Sequence, residues 1–165
     1  MVATVDSVRH RGSRSRKRGA YRAASLRRVL MVAEAAALLT LARILIRCLP
    51  FRTLSRRAVA GGSEKPDISP GQEATAARIR AAIRRAASSW AVCLPQALAA
   101  NWMLRWRGIG STLCLGVRRD PHDGRMNSHA WLRVGDSILI GGSQACNFVP
   151  VAELPLRRQQ GKVRT

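Results

Sequence analysis

Aromatic residues are scarce: four Trp, two Phe and one Tyr make up 4% of the 165 residues. A protein that reads nucleic acid by stacking bases on an aromatic surface is therefore disfavoured. Acidic residues are also few, 9 against 29 Lys/Arg, which leaves a formal charge of +20. Such a field favours an anionic partner: nucleic acid, a membrane surface or an acidic peptide. Lysine is nearly missing, at 3 against 26 Arg, and alanine is abundant. GC-rich coding is thus a sufficient source for much of the charge. The four cysteines (Cys48, Cys93, Cys114 and Cys146) form no C-x-x-C pair and lie far apart. Neither a dense disulfide framework nor a local metal knuckle is expected. Free thiols in a reducing cytoplasm are the better reading, with Cys48, Cys114 and Cys146 as buried packing thiols.

Long apolar runs are missing as well. A transmembrane helix needs about 20 largely apolar residues, but Glu34, Arg43 and Arg47 interrupt the most apolar region, leaving Ala35–Ala42 as its longest uncharged run. Ala58-Val59-Ala60 imitates a signal cleavage site, and Ser25-Leu26-Arg27-Arg28 a twin-arginine motif. Arg43, Arg47, Arg52, Arg56 and Arg57 lie where a signal peptide should be uncharged, so export is rejected.

What is present divides the chain. Residues 1–19 are polar and basic without apolar periodicity and read as a disordered tail. Residues 20–60 read as a helical region, with Leu26, Leu30, Ala33, Ala37, Leu41, Ile44 and Cys48 on one face until Pro50 ends or kinks it. An ordinary packing helix is preferred there, peripheral membrane contact being the remaining option. Residues 61–71 are a Gly/Ser/Pro-rich linker. Residues 72–165 hold the core, opening with a helix over 73–87 that turns Ala76, Ile79, Ala82 or Ile83, and Ala86 inward.

Within that core, Cys93 stands where a helix begins. Ser88 and Ser89 offer caps, Pro95 suits a first helical position, and the apolar pattern from Leu94 to Trp106 stops at Gly108. The positive end of a helix dipole favours a nucleophilic thiolate. Thr112–Val117 reads as a strand and 118–128 as a loop. His129–Val134 and Ser137–Ile140 then form a hairpin across Gly135-Asp136. His129 could act as a general base. His122, beside Asp120 and Asp123 in the loop, reads as a surface residue.

The ordered series Cys93-Leu94-Pro95-Gln96-Ala97-Leu98-Ala99, Leu104-Arg105-Trp106-Arg107-Gly108, Leu115-Gly116-Val117 and His129-Ala130-Trp131-Leu132 resembles the transglutaminase-like cysteine proteases of lasso-peptide biosynthesis. Leu49-Pro50-Phe51-Arg52 also resembles the region such proteins carry upstream. The resemblance covers residues 88–150. It implies an α+β fold with a papain/transglutaminase-like core, a Cys-bearing helix packed on a small antiparallel sheet bearing the histidine. It further implies cleavage of a leader peptide from a ribosomally made precursor, with Cys93 as nucleophile and His129 as general base. Neither metal nor cofactor is required. The implied partners are the precursor peptide, a separate leader-recognition protein and an asparagine-synthetase-like cyclase, with no nucleic acid.

One departure stands out. Such proteases commonly place an acid about a dozen residues after the histidine; here that position is Gly141, followed by Gly142. A two-residue turn pairs Val134 with Ser137 and sets His129 opposite Gly142. Asp136 lies seven residues along the strand from His129, roughly 20 Å away, and is judged an improbable third member. A backbone carbonyl, Ser143, Gln144 or Asn147 orients the imidazole, or the pair works as a dyad; a neutral orienter is the hypothesis. The rivals are a basic nucleic-acid-binding protein and a transglutaminase-fold acyltransferase or hydrolase with another peptide or amide substrate.

Overall fold

The longest element is a 43-residue helix, α1 (Asp6–Cys48). The computed structural model describes residues 6–48, 68–87 and 92–156, with side chains from Ala24 to Pro155 in those ranges. No proline precedes Pro50, and arginine and alanine are good helix formers. Residues 6–19 are therefore helical, where a disordered tail was expected. Pro50, Ala58-Val59-Ala60 and most of the expected linker lie outside the described residues.

α1 also buries a different face from the one its spacing suggested. Ala35, Leu38, Leu39 and Ala42 are buried, whereas Leu26, Leu30, Leu41 and Ile44 are exposed. The periodicity was ambiguous because α1 is apolar on both sides, so either stripe satisfies a helical repeat.

The second helix, α2 (Pro70–Ala86), starts earlier than expected. Ser69 and Gln72 form a reciprocal capping box with Pro70 in the first turn, a Ser-x-x-Gln signature hidden inside the supposed linker. Its inward residues are Ala76, Ile79, Ala82 and Ile83, as the sequence suggested. The third helix, α3 (Cys93–Trp106), packs against α1 and α2 on one side and the sheet on the other. Gly108, at φ 71°, ends it, and the N–H of Ile109 returns to the carbonyl of Leu104 at 3.0 Å.

Four strands follow: β1 (Ser111–Arg119), β2 (Met126–Val134), β3 (Ser137–Ile140) and β4 (Val149–Leu156), with the short helix α4 (Gly142–Ala145) before the last. The sheet order is β3-β2-β1-β4 and its pairings are antiparallel. β4 was not anticipated. Pro150 and Pro155 sit in it, and proline is tolerated in a sheet only at an edge, which is where β4 lies. The chain is thus an α+β fold: helices on one face of a small antiparallel sheet, with an N-terminal helix.

The main core lies between helices and sheet. Leu39, Ile79, Ile83, Met103, Leu104 and Leu132 are among its fully buried side chains. Removing each from water contributes roughly 1.5–3 kcal/mol. A smaller cluster of Cys114, Trp131 and Ala145, with Phe148 against it, occupies the other face of the sheet.

Candidate active site

Cys93 is the first residue of α3, half-buried against the main core. Its cap is Val92, which makes no side-chain capping bond. Ser88 and Ser89, the expected caps, lie outside the described residues. Pro95 therefore occupies the third helical position, not the first, still within the turn where a missing N–H costs nothing. The backbone N–H groups at this helix start are left without a side-chain acceptor at the cap.

Residues 107–110 alone join α3 to β1, and α3 packs on β1 and β2. α3, at 14 residues, is about 21 Å long, and on β1 Gly116 and Val117 pair with His129 and Ser128 of β2.

His129 is half-buried in β2. Strand alternation gives it the same face as Trp131, and its contacts agree. Its ring stacks on Trp131 at 6.0 Å between centroids and lies 5.1 Å from the Phe148 ring. Ala130, Leu132 and Val134 point the other way, into the main core. α3 packs on the face of the sheet that carries Ala130, Leu132 and Val134, with Cys93 against that core, so the structure sets the Cys93 helix and the His129 ring on opposite faces of the sheet; among the described residues no hydrogen bond joins the Cys93 thiol to the imidazole.

The imidazole does have a fixed partner. Nε2 lies 2.8 Å from the carbonyl oxygen of Gly141. A carbonyl only accepts, so Nε2 is a nitrogen that carries hydrogen, and in the neutral ring Nδ1 is then the one with the lone pair. The oxygen is presented by an unusual backbone. Gly141 has φ 79° and precedes α4. A Cβ there would lie 2.8 Å from the Ala130 carbonyl and 3.2 Å from Nε2 of His129. Only glycine fits on both counts.

The position where an acid was sought thus offers its main chain, a backbone carbonyl being one of the neutral orienters considered. The register argument, however, missed an irregularity. Val134 pairs with Ser137 and Arg133 with Ile138, as predicted, but Leu132 then pairs with Ile140. The extra residue in β3 is a bulge, so the counting that set Gly142 opposite His129 fails by one. Asp136 lies at the turn, 79% exposed and 4.0 Å from Arg133.

The other thiols divide by burial. Cys114 is buried, and burial, helped by Glu153, pushes its thiol up from the ordinary range. Cys48 and Cys146 are exposed, not buried as expected. Cys48 ends the outward stripe of α1, and Cys146 follows α4 in a turn. His122 is exposed, its N–H held by Asp120 Oδ1 at 2.9 Å. Among the described residues no three His, Cys, Asp or Glu side chains gather to hold a metal ion.

Sequence reasoning missed Phe148 and Gly116. Gly116 pairs with His129, and a Cβ there would meet the Trp131 ring at 2.8 Å. Trp131 lies over Gly116 and buttresses the imidazole. A lone glycine inside a strand pattern was the available signal.

The description transglutaminase-like superfamily matches residues 38–153. No curated protein and no solved structure matches the chain. The match covers most of the sequence and takes in both Cys93 and His129, and the chain belongs to the transglutaminase-like superfamily. That fold commonly carries cysteine hydrolase or transferase chemistry.

Proposed function

From membership of this superfamily, we propose that the chain is a cytoplasmic cysteine peptidase that removes the leader from a ribosomally made lasso-peptide precursor. Cys93 is the nucleophile and His129 the general base. The observation that carries the reading is the bond from His129 Nε2 to Gly141, which leaves Nδ1 as the basic nitrogen.

In the proposed step, Nδ1 takes the thiol proton as Sγ of Cys93 attacks the carbonyl at the leader–core junction. The tetrahedral intermediate collapses to a thioester, and the proton passes from the imidazolium to the leaving amine. Water, deprotonated by the same nitrogen, then hydrolyses the thioester and restores the thiol. Uncapped N–H groups at the start of α3 are suited to the oxyanion, because no side chain at Val92 competes for them. The step requires the sulfur, which starts on the helix side of the sheet, to reach the ring on the other face past the edge of β2 that β3 leaves unpaired, since β3 stops opposite Leu132.

A groove of about 710 Å³ between α1 and α2 supports an acidic amphipathic substrate segment or partner. Arg27, Arg28, Arg78 and Arg85 line it around Met31 and Ala82. The proposed partners are the precursor, a separate recognition protein that delivers it and an asparagine-synthetase-like cyclase that closes the ring afterwards.

The test is to incubate precursor and recognition protein with wild type, Cys93→Ala and His129→Ala, and to weigh the products. Cleavage should fall at least about a thousandfold in either variant, the scale of losing a nucleophile or its base. Cleavage surviving both substitutions overturns the assignment. Transfer of the acyl group to an added amine, without hydrolysis, would move the protein to the acyltransferase branch.

A further inference from the structure

We propose that the outward face of α1 rests on the surface of an anionic lipid bilayer. The proposal is independent of the peptidase reading and stands on two separate observations.

The first is an apolar stripe that nothing covers among the described residues. Leu26, Leu30, Leu41 and Ile44 are 46–59% exposed, and Ala33 and Ala37 between them are exposed too. At about 3.6 residues per turn this stripe points opposite to Ala35, Leu38, Leu39 and Ala42, the buried face. Among the described residues the domain therefore fills one side of α1 and leaves the other uncovered over about 27 Å, the rise of the helix from Leu26 to Ile44.

The second is charge. Residues 7–33 contain nine Arg/Lys and no Asp or Glu. They run directly into the apolar half of the same helix. An apolar face joined to a polybasic segment provides the two signals that peripheral attachment to anionic lipid requires.

The helix lies on the bilayer and does not cross it. Ala24–Cys48 is long and apolar enough to span, with a mean hydropathy of 2.1 in its most apolar window. Yet Ala35, Leu38, Leu39 and Ala42 pack against the rest of the domain. A spanning helix would have to abandon that packing, and the ion pair between Glu34 and Arg107 with it.

Other occupants satisfy only one of the two observations. Nucleic acid would answer the charge and leave the leucines in water. A second copy would cover the stripe and leave the nine cations without an anionic partner. Anionic lipid answers both.

The test uses the full chain and vesicle sedimentation with phosphatidylcholine alone or with 30% phosphatidylglycerol. Wild type should bind the anionic vesicles at least tenfold more tightly than the neutral ones. Leu30→Glu/Ile44→Glu should lose at least tenfold on the same anionic vesicles. Both side chains are exposed, so circular dichroism and melting should match wild type; Leu30→Gln/Ile44→Gln, with no added charge, should lose a smaller share. Failure of wild type to sediment overturns the proposal, as does equal sedimentation of wild type and both variants. Binding to a short DNA duplex that equals vesicle binding and survives the stripe substitutions would overturn it in favour of nucleic acid. Dimerisation abolished by the stripe substitutions, without vesicle binding, would overturn it in favour of a second copy.

Discussion

The two faces of β2 do different work. One face, Ala130, Leu132 and Val134, joins a broad aliphatic core supplied by three helices. The other, His129 and Trp131, meets among the described residues a small cluster of Phe148, Cys114 and Ala145. The first face is redundant: many side chains share the burial, and none of them is tied to one polar atom. The second is specific. It sets one imidazole against one carbonyl oxygen, held by two aromatic rings and two glycines at which a Cβ would crowd its neighbours. Stability comes chiefly from the first face and ring geometry from the second.

The comparison is sharpened most by truncating each face in turn. Trp131→Ala should cost about 3–5 kcal/mol, and Leu132→Ala about 2–5 kcal/mol. Denaturant titration will show both losses. The faces separate in the histidine itself. The ¹⁵N shifts of the His129 ring should change in Trp131→Ala and stay as wild type in Leu132→Ala. Equal perturbation of the ring by both substitutions would dissolve the distinction.

Gly141→Ala is a narrower probe of the second face. Left-handed backbone costs a non-glycine residue roughly 1–2 kcal/mol, and the new methyl would press on the Ala130 carbonyl and on Nε2 itself. A loss of about 2–3 kcal/mol is expected in total. The ring nitrogens should then lose their bias toward hydrogen on Nε2. In the cleavage assay kcat should fall more than KM rises, as for a positioning residue. Full activity with an unchanged tautomer would show that Gly141 does not orient the imidazole.

These positions also show how far the sequence could be read. The hairpin turn at Gly135-Asp136 was legible because two residues of turn chemistry sat between alternating strands. The inward face of α2 was legible because only one face of that helix is apolar. α1 failed the same reading: with leucines and alanines on opposite sides, periodicity alone could not choose between them. The register beyond Leu132 failed for a different reason. A bulge is one extra residue, and no residue in Ser137–Ile140 announces it. β4 was hidden by Pro150 and Pro155, whose meaning as edge markers depends on knowing the sheet. The candidate site was legible as two side chains. Its orienting atom belongs to the main chain, which sequence does not display.

A smaller effect separates the thiols. With an excess of a charged maleimide at pH 8, Cys48 and Cys146 should react first because both are exposed. Cys93, half-buried at the helix start, should follow, and Cys114 should react only on unfolding. Burial raises the Cys114 thiol, so at a given pH less thiolate is present in the fold. The linkage has the same sign. Unfolded Cys114 ionises first as pH rises past the ordinary thiol range, so its contribution to stability is lost toward alkaline pH. Mass spectrometry of labelled peptides orders the four sites. Labelling of Cys114 in the folded protein as fast as Cys146 would contradict the second cluster as a closed unit.

The smallest expected effect concerns how α1 is held on the helical side. Arg107, just past the end of α3, donates from Nη1 and Nη2 to the two carboxylate oxygens of Glu34 at 2.9 and 2.7 Å. Nη1 also reaches the carbonyl of Met103 at 2.8 Å. Both side chains are only a quarter exposed, and the hydrogen bond to Glu34 raises the already strong base further. Water reaches the pair, so its net value is that of a well-formed surface bridge, about 1 kcal/mol. Glu34→Gln keeps the shape and one acceptor and should cost about 1 kcal/mol or less. The aliphatic contacts of Ala35, Leu38, Leu39 and Ala42 should hold α1 in place without it. If Glu34→Gln instead released α1, seen as proteolysis within 24–48 at low protease, docking of that helix would depend on one ion pair, and the redundancy assigned to the aliphatic side would not extend to its outermost helix.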